Sequence, residues 1–269
     1  MSSIKEYLME VEDLRRERWI EEIYGDLDPE SDEWQDAAGQ YSDWLDDVAE
    51  QAERRWFQDS LNDLDSRYIH AVRELDELHE LRESVGGGIV YRLGYVHTVT
   101  VMEAFLMYSA RALLNDDAHL EHFYASLSKM PYLKGKLKKC REAVLEEYQA
   151  IQDDSLILTE TDVRRLSAQR CISEQTFHNV DNMKEYFDAV LKTPRDWPVD
   201  GLRSIVDTRQ DLVHRNGVSA HDEPVSINVW QLDRALTTVR AFIDAVALTL
   251  RQETGKDGVL PRAGKRDEF

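Results

Sequence analysis

An all-α fold is predicted by three properties of the sequence. Apolar residues recur at three- and four-residue steps over most of its 269 positions. Capping and stopping residues separate these stretches at helical lengths. Alternating strand patterns are nearly absent, with Val225-Ser-Ile the only short candidate.

The elements follow in order. From Ile4 to about Tyr24, the residues Ile4, Leu8, Val11, Leu14, Ile20 and Ile23 trace one face of an amphipathic helix, which Gly25 and Pro29 stop. A second helical pattern runs from about Ser31 to Glu83 without a proline, its stripe marked by Trp34, Trp44, Leu45, Val48, Trp56, Leu61, Leu64, Tyr68, Val72, Leu75, Leu78 and Leu81. Gly39 is a point at which it can divide. Fifty residues of such pattern suggest a projecting helical arm or a pairing surface, with an arm that packs back on the rest of the protein as the equal alternative. Gly86-Gly87-Gly88 frees the backbone and marks a boundary between an arm at 1–85 and a bundle at 89–253. These glycines lack the lysine and hydroxyl of a phosphate-cradling loop.

Ile89 to Leu114 is apolar on most faces, Leu93 included, as expected of the central helix of a bundle. Asn115-Asp-Asp caps a helix that ends before Pro131, and further helices are predicted at about 135–151 and 161–173. Phe177 to Leu191 is amphipathic and ends at Thr193-Pro194, while Asp200 to Arg215 ends at Asn216-Gly217, a strong stop signal. Asn228 caps a last helix whose expected buried stripe is Trp230, Leu232, Leu236, Val239, Phe242, Ile243, Val246 and Leu250. Residues 254–269 read as a polar tail.

Charge narrows the function classes. Of the net charge of −20, residues 1–80 carry 25 acidic against 8 basic side chains, so the acidity belongs to the first third. Such a chain is repelled from phosphates unless a local basic patch faces them. Lys134, Lys136, Lys138, Lys139 and Arg141, with Lys129 nearby, form the one basic cluster and are the candidate RNA-backbone contacts; as a solvated helix face they need no ligand. Two cysteines, Cys140 and Cys171, without CxxC spacing point away from a disulfide framework or a structural zinc site, and fit a reducing compartment. His119 and His122 lie three apart without an evident third ligand, so no metal and no cofactor is expected. The acidic N-terminus does not resemble a secretory signal, and no apolar run approaches the roughly 20 residues of a membrane span. A cytoplasmic location without a membrane anchor is the expectation.

The segment Arg209-Gln-Asp-Leu-Val-His214-Arg-Asn-Gly217 concentrates chemistry at one helix end. An imidazole takes or gives a proton near neutral pH, and a guanidinium holds a phosphate or a developing phosphorane with forked hydrogen bonds. The pair suits phosphodiester transfer without a metal. A ribose 2′-hydroxyl supplies an internal nucleophile, which favours RNA over DNA and leaves a 2′,3′-cyclic phosphate. Residues five apart on an ideal helix project roughly 140° from each other. Arg209 and His214 therefore converge only if the helix distorts or if two copies meet across a two-fold axis. A purely structural account, with these cations capping the helix dipole, is the alternative. Gln210, Arg215 and Asn216 are supporting candidates. Glu103, a carboxylate inside the apolar central helix, must find a partner, with Arg209, His214 or a structural arginine the candidates.

The central-helix stretch Tyr95-Val-His-Thr-Val-Thr-Val-Met-Glu-Ala-Phe-Leu, the stretch Phe177-His-Asn-Val-Asp-Asn-Met-Lys-Glu-Tyr-Phe, the RQDLVHRNG segment and the capped helix after it together resemble the HEPN superfamily over about residues 89–253. The likeness is greatest to the branch of ribonuclease toxins and phage-defence proteins. It carries the pattern of an Arg, four to six residues, then His, which Arg209-x4-His214 satisfies. The resemblance implies an HEPN-like helical bundle and a homodimer or higher homo-oligomer. It further implies a metal-independent endoribonuclease acting on RNA, tRNA among the candidates, with Arg209 and His214 catalytic across a composite dimer site. Many such proteins carry Asn, Asp or His after the Arg, where this chain has Gln210. Residues 1–85 match no recognised pattern; an antitoxin or defence-system partner docking on this acidic arm is one expectation for them. Two other classes fit the same sequence: a catalytically inactive HEPN module that binds RNA or a nucleotide, and a helical adaptor.

Overall fold

The computed structural model describes the chain except residues 1–3, 61–62, 85–87, 151–157, 194, 220 and 263–269. The fold is all-α. The described residues form ten helices, and their only extended pairing is an isolated antiparallel bridge between Val218 and Pro224. Val225-Ser-Ile does not become a strand: Val225 donates its N–H back to the Gly217 carbonyl (2.7 Å), and Ile227 turns into the core. Two compact units divide the chain, residues 1–59 and 60–269.

In the first unit, α1 (Ile4–Tyr24) and α2 (Asp32–Ser60) flank a short turn. Gly25, at φ +82°, closes α1 by donating its N–H to Glu21, and the Ser31 hydroxyl caps α2 by accepting from the Trp34 N–H. Gly39 lies inside α2 and does not divide it. Ile20, Ala37 and Tyr41 are buried, and the Trp19 ring packs on Tyr41 and Trp44 at centroid distances of 5.5 and 5.8 Å. Trp44 and Val48 remain exposed.

The long second pattern is not one helix. α2 ends at Ser60, and α3 (Leu64–Ser84) starts afresh with Asp63 as its cap, accepting from the N–H and hydroxyl of Ser66. By its contacts α3 belongs with the bundle and not with an arm reaching to residue 85. Tyr68, Val72, Leu75 and Leu78 are buried in the main core, and the Tyr68 hydroxyl donates to Asp244 (2.8 Å). Burial and that carboxylate push the Tyr68 phenol up to about 12. The triple glycine falls mostly outside the described residues, as do the side chains of Ile4, Leu8, Val11, Trp56, Leu61 and Leu81 and the tail beyond 262.

α4 (Gly88–Leu113) is the hub of the second unit, in contact with α3, α7 (Glu160–Ser173), α9 (Leu202–His214) and α10 (Val229–Glu253). Around it α5 (Asp117–Ala125) packs on α8 (Val180–Val190), and α6 (Pro131–Ala150) packs on α7. α6 starts at Pro131, four residues before the position read from the pattern, because a proline at the first helical position forfeits no hydrogen bond. Thr159 and Asn228 make reciprocal capping boxes with Asp162 and Gln231, fixing the starts of α7 and α10. T-shaped aromatic pairs Tyr186–Phe187, Phe187–Trp197 and Trp197–Phe242 tie α8 to α10 through the segment between α8 and α9.

Leu14 and Ile23 of the first unit are exposed as well, and in the second unit two residues expected in the core lie outside. Trp230 is 78% exposed, because it sits two residues before Leu232 and so roughly 200° around α10 from the stripe that is buried. Leu93 is 62% exposed and shares an outer stripe of α4 with Ile89 and His97. Both ring nitrogens of the buried His119 face carboxylates: its Nδ1 meets the exposed Asp116 (2.8 Å) and its Nε2 meets the buried Glu253 side chain (2.9 Å). No helix among the described residues is long and apolar enough to cross a membrane.

Candidate functional site

α9 is a 13-residue helix with two working faces. Leu202, Ile205 and Val206 are buried and seat it on α4. The helix ends as the sequence predicts. Asn216 (φ +51°) and Gly217 (φ +81°) both adopt the left-handed region, and the Asp211 carbonyl accepts from the N–H groups of Arg215 and Gly217. A side chain at Gly217 would meet the Arg92 guanidinium 3.3 Å away, so glycine serves both the turn and this approach. Asp211 also pairs with Arg215 along the helix.

Arg209 points inward. Its side chain is 17% exposed, and its Nη2 lies 3.9 Å from Glu103 Oε2 on α4. Its Nε is buried without a hydrogen-bond partner. His214 is exposed, as its 140° offset from Arg209 requires. Within one chain the two motif residues therefore stand on different faces of α9. Arg215 and Asn216 are exposed beyond the helix end.

Glu103 has a second partner absent from the sequence reading. Its Oε1 accepts a short hydrogen bond from His178 Nδ1. The expected helix over Phe177–Leu191 in fact begins at Val180, with the Asn179 side chain capping the N–H groups of Asp181 and Asn182. His178 thus belongs to the extended segment ahead of α8, from which it reaches across to α4. An Asn ahead of an amphipathic run was the available signal.

His178 and Gln210 line an open cleft of about 310 Å³ between the start of α8 and the outer face of α9, with Asn179, Asp181, Arg203 and Asp207. Arg203 Nη1 donates to Asp181 (2.8 Å), and the pair closes one rim. That bond holds the Asp181 carboxyl below its usual range and raises the Arg203 guanidinium. Behind α9, Tyr95 lines a separate hollow with Thr208; burial raises its phenol, against the opposing effect of the Thr208 hydrogen bond and Arg234.

The basic cluster lies elsewhere, on α6. Lys134, Lys136, Lys138 and Lys139 are exposed, while Lys138 faces Glu142 (3.9 Å) and Arg141 is drawn into an ion pair with Glu160 (2.9 Å). Cys140 and Cys171 are buried free thiols; burial pushes Cys171 up to about 12, far from a reactive thiolate.

No family model, no curated protein and no solved structure matches this chain. The resemblance to the HEPN superfamily rests on the sequence segments that suggested it.

Proposed function

We propose that the chain is a metal-independent endoribonuclease of HEPN type that acts as a toxin or anti-phage effector. The observation that carries this reading is Arg209. A guanidinium held largely buried and meeting the Glu103 carboxylate at 3.9 Å, longer than a hydrogen bond, is costly to keep for packing alone. It retains donors for an anion. His214 is the exposed proton carrier, and it meets an Arg209 when a second copy supplies it.

Exposed apolar side chains at one end of the bundle support that pairing. Arg92 adjoins Gly217 and Gly94 adjoins Leu232, so the start of α4, the end of α9 and the start of α10 come together at one end of the bundle. On these elements Ile89 and Leu93 of α4, Val213 and Val218 on either side of His214 in sequence, and Trp230 of α10 are exposed. A homodimer covering this end removes them from water. An antitoxin or other defence-system partner on the acidic first unit completes the reading.

The test is cleavage of total RNA and tRNA by the purified full chain in EDTA, with analysis of product ends. Wild type should leave 2′,3′-cyclic phosphates, and Arg209→Ala and His214→Ala should each lose on the order of 10²–10³ in rate. Intact RNA with wild type would reject the nuclease in favour of a binding module.

A further inference from the structure

We propose that His178 is a second catalytic imidazole, the general base that takes the ribose 2′-hydroxyl proton in the cleft that it lines, across Glu103 from Arg209. This rests on the ribonuclease reading above. Glu103 lies between the two groups that the chemistry needs: one carboxylate oxygen accepts from His178 Nδ1, and the other faces Arg209. A carboxylate that accepts from Nδ1–H fixes the tautomer, leaves Nε2 as the basic nitrogen, and steadies the imidazolium that forms on proton uptake.

The surroundings fit this role. His178 keeps 25% of its side chain exposed and lines the cleft, so its ring is open to a ligand that enters there. Gln210, next to Arg209 along the chain, lines the same cleft and offers an amide to a phosphate or ribose oxygen. His214 cannot serve as this base within its own chain, because it is on another face of α9. His178 and Arg209 share a carboxylate without any second copy.

The 2′-O–H proton passes to His178 Nε2 as O2′ forms its bond to phosphorus, with the phosphorane charge held by Arg209. The P–O5′ bond breaks, and O5′ takes a proton from the His214 imidazolium of a second copy. A 2′,3′-cyclic phosphate and a 5′-hydroxyl leave; solvent accepts the proton from His178 and returns one to His214.

Two variants separate catalysis from support. His178→Ala removes both the base and the donor to Glu103. His178→Gln keeps an N–H for Glu103 but cannot carry the proton. Both should lower kcat for RNA cleavage at least about 100-fold with KM within a few-fold of wild type. A His178→Gln variant within about threefold of wild-type kcat overturns the proposal and leaves the ribonuclease reading standing, since the imidazole would then be only a prop for Glu103.

A second measurement does not need turnover. The His178 Cε1–H resonance, assigned by its loss in His178→Gln, is followed while cytidine 2′-monophosphate is added to the full chain. It should shift in wild type and stay still in Arg209→Ala. An unmoved resonance in wild type overturns the placement of phosphate at His178, whether or not the chain cleaves RNA. Absence of cleavage by wild type with a moving resonance instead rejects the ribonuclease reading and the base role with it, leaving a phosphate site.

Discussion

Glu103 shows how one residue can organise a site. Set in a helix of otherwise apolar facing, its carboxylate is 19% exposed and must be compensated where it stands. Arg209 and His178 do this from two other segments of the chain. Replacing Glu103 by Ala strands a largely buried guanidinium, so the expected loss is roughly 2 kcal/mol of unfolding free energy, with Glu103→Gln costing about half as much. Urea unfolding followed by circular dichroism reads this directly, and an unchanged midpoint for Glu103→Ala would show that Arg209 needs no counter-charge. Gly217 makes a smaller, backbone-level case. Gly217→Ala must hold φ +81° and crowd Arg92, which should cost about 1 kcal/mol in the same measurement. At this scale the sequence was half legible. A carboxylate among Val, Met, Phe and Leu announces that a partner exists, and the Arg209 to His214 spacing announces that the two diverge. The partner's identity was hidden because His178 is 75 positions away and was counted inside a helix that starts two residues later.

Helix ends were legible in part, because capping chemistry is local: Asp116, within Asn115-Asp-Asp, caps α5 and Asn228 caps α10 as read, whereas Thr159 and Asn179 cap α7 and α8 at starts that the apolar pattern alone did not place. The break between α2 and α3 was missed for the same reason in reverse. No glycine or proline marks it, and an Asp63 to Ser66 cap in a chain so rich in aspartate gives no contrast. The buried His119–Glu253 clasp that joins α5, the end of α10 and the segment after α8 was also invisible, since its members are 134 positions apart. Burial opposes ionisation of Glu253, but hydrogen bonds from Thr193, Lys192 and His119 outweigh it and hold the carboxyl at about 2, well under its ordinary 4.5. His119 faces Asp116 on its other side. A depressed carboxyl contributes its full stability above the unfolded value and loses it as pH falls through the folded one. Stability should therefore drop by roughly 2–3 kcal/mol between about pH 4.5 and pH 2 on account of this group. Comparing thermal unfolding of wild type and Glu253→Gln across that range tests it. The variant should be less stable at pH 6, and the gap should close towards pH 2; parallel curves would remove Glu253 from the acid response.

The division of the whole molecule follows from where apolar surface is buried, which composition alone does not reveal. Periodicity and charge both ran on past residue 60, so the acidic pattern appeared to extend to the triple glycine. Burial separates them: residues 1–59 hold 19 acidic against 6 basic side chains around a small core, whereas α3 contributes Tyr68, Val72, Leu75 and Leu78 to the main one. Two truncations distinguish the alternatives. A chain of residues 60–269 keeps the whole core and should unfold in one cooperative transition near the wild-type midpoint. A chain of residues 86–269 loses the buried Tyr68, Ala71, Val72, Leu75 and Leu78, the four larger ones at roughly 2 kcal/mol each, a sum comparable with the total stability of a typical domain. It should show no cooperative transition and should aggregate. Removal of residues 1–59 also removes 13 of the 20 net negative charges. On the proposed ribonuclease reading, the 60–269 chain with those charges gone should bind RNA more tightly than the full chain at low salt, and the difference should shrink as added salt screens the field. A difference that persists at high salt would exclude long-range repulsion as its cause, and equal affinity at every salt concentration would show that the acidic unit has no part in RNA binding.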